Sequence, residues 1–292
     1  MELWFIIAIC GAIAAGVSNF FFKVAAARNY NAELFIFYGA IASLLIAVTL
    51  LLAWQEPLLG FGATAAILLG AGFISAASGS MKVYVLRYID STIYFPLFKL
   101  LTPAFAIIVG VTWFSESFSF IEWVGLIVGL LVPLILITPA ENSRQQNLKM
   151  GLVFVLVTSI LSALTAVAGK YAIDAAVPVF TTLLLTVFGL TAGSVGLMIH
   201  KRGVSGLWSL IQTESALSLI QIAVTRAVLI SFAVWAMLFA FSQGGTLSVV
   251  QTIHSMYILI PIVLAIIFYN EHWNWQKATA IALSVVSLGF LG

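Results

Sequence analysis

Lys99 has the strongest claim to chemistry in this chain. It stands in Tyr94-Phe95-Pro96-Leu97-Phe98-Lys99, inside a long apolar run. An ionisable side chain in such a run is costly to bury and is by default a candidate for function. His254, in Val250-Gln251-Thr252-Ile253-His254-Ser255, is a second. A lysine stays charged unless strongly desolvated and suits a fixed contact with an anion. A histidine changes charge near neutral pH and suits a proton-sensitive contact. Against the site reading, the Lys99 stem could carry its ammonium out to a membrane surface.

Smaller polar residues surround these two. Ser75, Ser78, Gly79 and Lys82 fall on one face of a helix, where they could widen a cavity or let helices pack closely. Ser18, Asn19 and Lys23 end one apolar run; Arg226, Ser231 and Trp235 sit inside another, and Gln251 lies one turn before His254. Trp235 could stack on a ligand or on neighbouring rings. Lys23 and Lys170 suit capping of carbonyls or headgroup contact. The residues expected to touch a substrate are thus Lys99, His254, Lys82, Asn19, Ser78, Gln251, Trp235 and Arg226. Glu116 and Glu271 sit at helix junctions and fit caps for the next helix N-terminus, with proton coupling as the sharper alternative.

Enzyme motifs are missing. There is no G-x-S-x-G, H-E-x-x-H or P-loop, and His200, His254 and His272 are too scattered for a metal site. No catalytic residue, metal or cofactor is expected. The single cysteine, Cys10, allows no intrachain disulfide.

The elements that must position these residues follow from composition. The 292 residues are 63% hydrophobic and 8% charged, with mean hydropathy +1.17. Soluble domains carry about 25% charged residues, so this is an all-α membrane protein. A net charge of +2 gives no footing for nucleic acid. At roughly 20 apolar residues per span, ten spans are expected: Leu3–Ala27, Glu33–Trp54, Ala63–Tyr88, Ser91–Phe114 and Ile121–Ile137, then Lys149–Ala172, Pro178–His200, Ala216–Phe241, Thr246–Tyr269 and Trp275–Leu291. Ala25-Ala26-Ala27 resembles a signal-peptide cleavage site, but no positive residue precedes the apolar run; the segment is read as a helix.

The polar run Thr138–Met150 divides the chain, giving a first repeat over 1–138, a connector over 139–149 and a second repeat over 150–292. Lys23 closes the first helix as Lys170 closes the sixth, so Ser18 faces Thr165. Glu116 aligns with Glu271, and in the same register Lys99 aligns with His254. The longer stretch Lys201–Ser215, against Gln55–Gly62, absorbs the difference in spacing. Five helices per half is an odd number, so the second half must enter the membrane inverted, the architecture of alternating-access carriers.

Three features carry a resemblance: a lysine closing the first helix of each half (SNFFFKVAA, TAVAGKYAI), a proline-bearing fourth helix (FPLFKLLTPAFAIIVG, MYILIPIVLAII) and an acid before the fifth (WFSESFSFIEWVG, FYNEHWNWQKATA). With these the chain resembles the drug/metabolite transporter superfamily, in its ten-helix EamA-like branch, over essentially its whole length. The resemblance implies an exporter or exchanger of small metabolites, with a cavity lined by the first four helices of each half. The start, Met-Glu-Leu-Trp, departs from the basic start common in that family.

The expected function is therefore secondary transport of a small polar or amphipathic metabolite, an amino acid or organic anion among the candidates, by efflux or exchange. The alternatives are a membrane enzyme acting on a lipid-linked substrate and a passive facilitator. The expected partners are the small-molecule substrate and the bilayer. Gly125-Leu126-Ile127-Val128-Gly129 is a GxxxG pattern that could serve the tenth helix or a homodimer. A multi-pass protein of the plasma membrane, if bacterial, is expected. The basic residues Arg28, Arg87, Arg144, Lys149, Lys201, Arg202 and Lys277 fall on one side of an alternating trace, which argues for a cytoplasmic connector; the family resemblance argues for cytoplasmic termini.

Overall fold

A computed structural model of the chain describes residues 2–28, 30–57, 62–85, 91–136, 148–214, 217–260, 263–264, 267 and 275–292, with the backbone alone at several helical positions, Lys23 and Lys82 among them. The elements are α1 (Leu3–Ala27), α2 (Ala32–Trp54), α3 (Ala63–Val85), α4 (Ser91–Thr112), α5 (Phe120–Ile135), α6 (Leu148–Asp174), α7 (Val179–Glu214), α8 (Leu217–Ser242), α9 (Leu247–Ser255), which tightens into a 3-10 turn over Met256–Ile258, and α10 (Trp275–Leu291). No strand occurs among the described residues. Most of the connector and the second acidic junction, with Glu271, lie outside them.

Among the described residues, six helices are long and apolar enough to cross a membrane, and three shorter ones are apolar as well. Their outward faces present large apolar side chains such as Leu45, Leu52, Phe73, Ile108 and Ile127. In water each would be a liability; in hydrocarbon each is at home. The protein is membrane-embedded.

Helix ends are closed by short-range chemistry. Asn31 accepts from the Glu33 and Leu34 N–H groups at the start of α2. Ser119 and Glu122 form a capping box on α5. Two other helix starts are closed from a distance. The Glu56 carboxylate, after α2, accepts from the Phe180 and Thr181 N–H groups of α7 at 2.9 and 3.2 Å. Glu116, after α4, accepts from the N–H groups of Leu247 and Ser248 and from the Ser248 hydroxyl, all on α9. The sequence assigns Glu116 to the next helix; it reaches α9 instead, because the capping box already serves α5.

The packing pairs join the halves. α1 lies on α8 and α9, α2 on α7 and α8, α3 on α6 and α7, α4 on α6 and α9, and α5 on α10. Between α3 and α7 the approach is backbone to backbone: a Cβ at Gly72 would run into the Thr186 carbonyl, and one at Gly189 into that of Leu69. The GxxxG face of α5 is used within the chain. A Cβ at Gly125 would sit 2.9 Å from Leu291, and the Ser287 hydroxyl donates to the Gly125 carbonyl at 2.7 Å.

The stretch Lys201–Ser215, expected as a break between spans, is mostly helix. α7 runs through Lys201 and Arg202, turns at Gly203 (φ 71°, ψ 170°) and resumes to Glu214. Only glycine adopts that backbone conformation readily. The resumed turns hold because Leu210 is buried in one cluster with Leu34, Met198 and Leu219.

Candidate functional site

Lys99 is nine residues into α4, about 12 Å from its start. Its ammonium lies 3.7 Å from the centroid of the Tyr257 ring and 5.3 Å from that of Phe98. A cation at that distance from an aromatic face is held by the ring quadrupole, worth about 0.5–2 kcal/mol. Pro103, four residues on, brings no N–H to the Lys99 carbonyl, so this stretch of α4 differs from a regular helix.

Tyr257 is the hub. It sits in the 3-10 turn after α9, and the Asn19 side chain of α1 hydrogen-bonds its hydroxyl. Asn19 also donates to the Ala15 carbonyl one turn back at 2.6 Å. Arg226 of α8 is within Coulomb range of Tyr257, with its guanidinium 5.7 Å from the Phe35 ring and against Gly39 of α2. His254, one turn before Tyr257, is buried and within Coulomb range of Lys99. Its Nε2 is 3.3 Å from where a Cβ on Gly11 would stand. Tyr94, stacked on Phe98, exchanges a hydrogen bond with the Thr158 hydroxyl at 3.3 Å.

Four of the expected residues, Lys99, His254, Asn19 and Arg226, therefore gather around one tyrosine, from four helices. The helices that supply them, α1, α4, α8 and α9, contain no aspartate or glutamate. On the same helices the buried atoms Ser18 Oγ, Thr102 Oγ1, Ser231 Oγ and His254 Nε2 have no hydrogen-bond partner among the described residues; the side-chain oxygens of Ser159 and Thr182, on α6 and α7, are two more. Buried polar groups of this kind are costly unless something polar meets them. The arrangement can bind a negatively charged or strongly hydrogen-bonding small molecule.

The other expected residues have other neighbours. Ser78 shares a hydrogen bond with Ser162 at 3.2 Å and donates to the Thr158 carbonyl, in the α3–α6 seam. Gln251 donates to the Met237 sulfur at 3.2 Å. Trp235 packs at a tilt against Phe232 and Phe239 of its own helix. The Lys82 side chain lies outside the described residues. Tyr257 and Tyr94 escape a search confined to ionisable and small polar residues; the cue for Tyr257 is its place three residues after His254, on the same helical face.

A cleft of about 190 Å³ opens at the end of the bundle that holds Glu56, lined by Gly62, Thr64, Ala65, Leu68, Ala175, Val177 and Leu185. It touches none of the residues above and offers one side-chain hydroxyl, so it is a poor site for a charged ligand. At the opposite end Glu33 pairs with Arg202 at 2.8 Å and Lys201 at 3.6 Å. There the Tyr30 phenol is held below its ordinary pKa by its hydrogen bond with Ser218 and then by Arg28.

No family model and no curated protein matches the chain. Solved structures do match it in fold. One, described only as "Crystal structure of protein", superposes with a TM-score of 0.74 over 98% of this chain and 95% of its own, at 12% identity. At that identity the likeness concerns the fold. Fold and site together define an α-helical membrane-embedded protein in which two half-buried cations, Lys99 and Arg226, gather with polar groups around Tyr257.

Proposed function

We propose that the chain is a secondary transporter with ten membrane-spanning helices in two inverted halves, moving a small anionic or zwitterionic metabolite by alternating access. The observation that carries this reading is the contact between Lys99 of the first half, on a helix that holds no acid, and Tyr257 of the second, just after another such helix. A site between inverted repeats, near mid-membrane, is where such carriers bind their cargo.

The packing supports the inverted repeat. Exchange α1 with α6, α2 with α7, α3 with α8, α4 with α9 and α5 with α10. The pair α1–α8 then becomes α3–α6, α2–α8 becomes α3–α7, and α1–α9 becomes α4–α6, while α2–α7, α4–α9 and α5–α10 map onto themselves; all these pairs are in contact. The resemblance to EamA-like transporters points the same way. Lys99 and Arg226 supply charge for a carboxylate or similar group, Asn19 and Tyr257 supply hydrogen bonds, and His254 faces the substrate from the second half. A gradient or counter-substrate drives the cycle, and the plasma membrane is its place if the source is bacterial.

The test is counterflow in proteoliposomes, with a thermal-shift screen to choose compounds, since a true ligand raises stability as RT ln(1 + [L]/Kd). Organic anions or zwitterions should exchange in a saturable way. Exchange confined to organic cations would refute the charge assignment, and non-saturable flux without counterflow would make the protein a facilitator.

A further inference from the structure

The helical stretch after the Gly203 turn has no part in the transport reading, and its geometry is unusual. Met198 and Leu210 belong to one buried cluster with Leu34 and Leu219. In a straight helix they would stand about 18 Å apart. Leu34 and Leu219 each lie in the first turn of their helices, α2 and α8. Residues 204–214 therefore fold back across those two helix ends instead of continuing along α7.

The stretch has three faces. Leu210 and Ile211 turn inward against the cluster. Ser205, Ser209 and Gln212 form an exposed polar face. Between them Val204 and Trp208, one turn apart, are 68% and 63% exposed, and Leu217 at the start of α8 is 72% exposed. Next to this apolar edge stand Lys201 and Arg202, which share the single carboxylate Glu33. Arg28 is at the same end, within reach of Tyr30, which bonds Ser218. Among the described side chains at this end, these three cations stand against one acid, Glu33.

We infer that residues 204–214 form an interfacial helix that docks on anionic phospholipid, with Val204 and Trp208 entering the boundary between headgroups and acyl chains and Lys201, Arg202 and Arg28 facing the lipid phosphates. Amphipathic helices bind membranes in this way, by buried apolar area plus attraction to negative lipid, and tryptophan favours that depth. The attraction falls off within a Debye length, so salt weakens it. The surface commits to lipid because its cations flank an apolar edge that a soluble anion would not cover.

The full chain is reconstituted in vesicles of phosphatidylcholine, alone or mixed with phosphatidylglycerol. A nitroxide is placed by Trp208→Cys or Ser209→Cys in a Cys10→Ser background, and collision with oxygen is compared with collision with a water-soluble nickel chelate. In mixed vesicles the label at position 208 should favour oxygen several-fold over the label at position 209. It should move toward water in phosphatidylcholine alone, at high salt, or in the Lys201→Gln/Arg202→Gln variant. Equal water access at both positions would overturn the interfacial helix. A depth at position 208 unchanged by lipid charge would overturn the anionic preference. Should the double variant fail to fold, the comparison of lipid compositions on the single-label chains decides the same question. None of these readouts depends on transport.

Discussion

The Lys99 ammonium lies 3.7 Å from the centre of the Tyr257 ring, one residue from each half of the chain. A substrate anion at this point would meet a cation resting on an aromatic face. Its carboxylate could draw the ammonium off the ring. Binding and rearrangement of the two halves would then be one event.

Removing the cation should remove most transport. Lys99→Gln forfeits a charged hydrogen bond of about 1.5–3 kcal/mol, a roughly 10- to 150-fold fall in uptake. Lys99→Arg should keep part of the activity. The measurement is initial rate in proteoliposomes, with folding checked by gel filtration. Normal uptake by Lys99→Gln would make Lys99 a bystander.

Tyr257 separates ring from hydroxyl. Tyr257→Phe keeps the aromatic face and loses the bond to Asn19; Tyr257→Leu loses both. Because the contact given up on binding is a cation–π interaction worth about 0.5–2 kcal/mol, the leucine variant should bind substrate more tightly than the phenylalanine variant, by roughly 2- to 30-fold. Equal Kd values for the two would assign the ring no role.

His254 is expected to shape pH dependence. The uptake profile of His254→Gln from about pH 5.5 to 8.5 is compared with wild type, across the range where an ordinary histidine titrates. A flatter profile is the expected result. An identical one would leave His254 as a packing residue against Gly11.

The α3–α7 seam gives a stability test with its own control. Gly72→Ala puts a methyl group into the Thr186 carbonyl, a backbone atom that cannot swing aside, whereas Gly70 has nothing within 4 Å of its would-be Cβ. Gly72→Ala should cost at least about 1–3 kcal/mol and lower the melting temperature in detergent; Gly70→Ala should not. Equal melting temperatures would mean that the two helices stand further apart.

Glu116 offers another. Glu116→Ala strips the acceptor from two N–H groups and a hydroxyl at the start of α9, a cost of about 1–3 kcal/mol for groups left unsatisfied. Thr246, the local cap of α9, donates no charge to compensate. The reading is a lower melting temperature; an unchanged one would show that water replaces the carboxylate at no loss.

The helices were legible because a span needs only a run of apolar residues, and the ends of α1, α2 and α10 fall within a residue or so of where composition puts them. Lys99, His254, Asn19 and Arg226 were legible for a related reason: polar atoms stand out against hydrocarbon. Tyr257 did not, since its ring looks apolar and its hydroxyl polar, and only the fold shows which matters. The long-range caps could not be read either. Glu56 and Glu116 sit beside one helix in sequence and serve another in space. The segment after Gly203 looked like a loop because its polar residues are dense; that it is helical follows from Leu210 finding a cluster built by α2 and α8.

The two seams that the repeat would make equivalent are unlike. α3 meets α7 glycine against backbone, while α2 meets α8 with the Arg226 guanidinium set beside Gly39. In an ideally symmetric inverted repeat, the conformations open to either side of the membrane would be mirror partners of equal free energy, each occupied half the time. Unequal seams lift that degeneracy, and a difference of only about 1.4 kcal/mol already shifts occupancy tenfold. A transporter of the kind proposed would therefore, when empty, wait facing one side, and a ligand that binds at Arg226 would change how long it waits there.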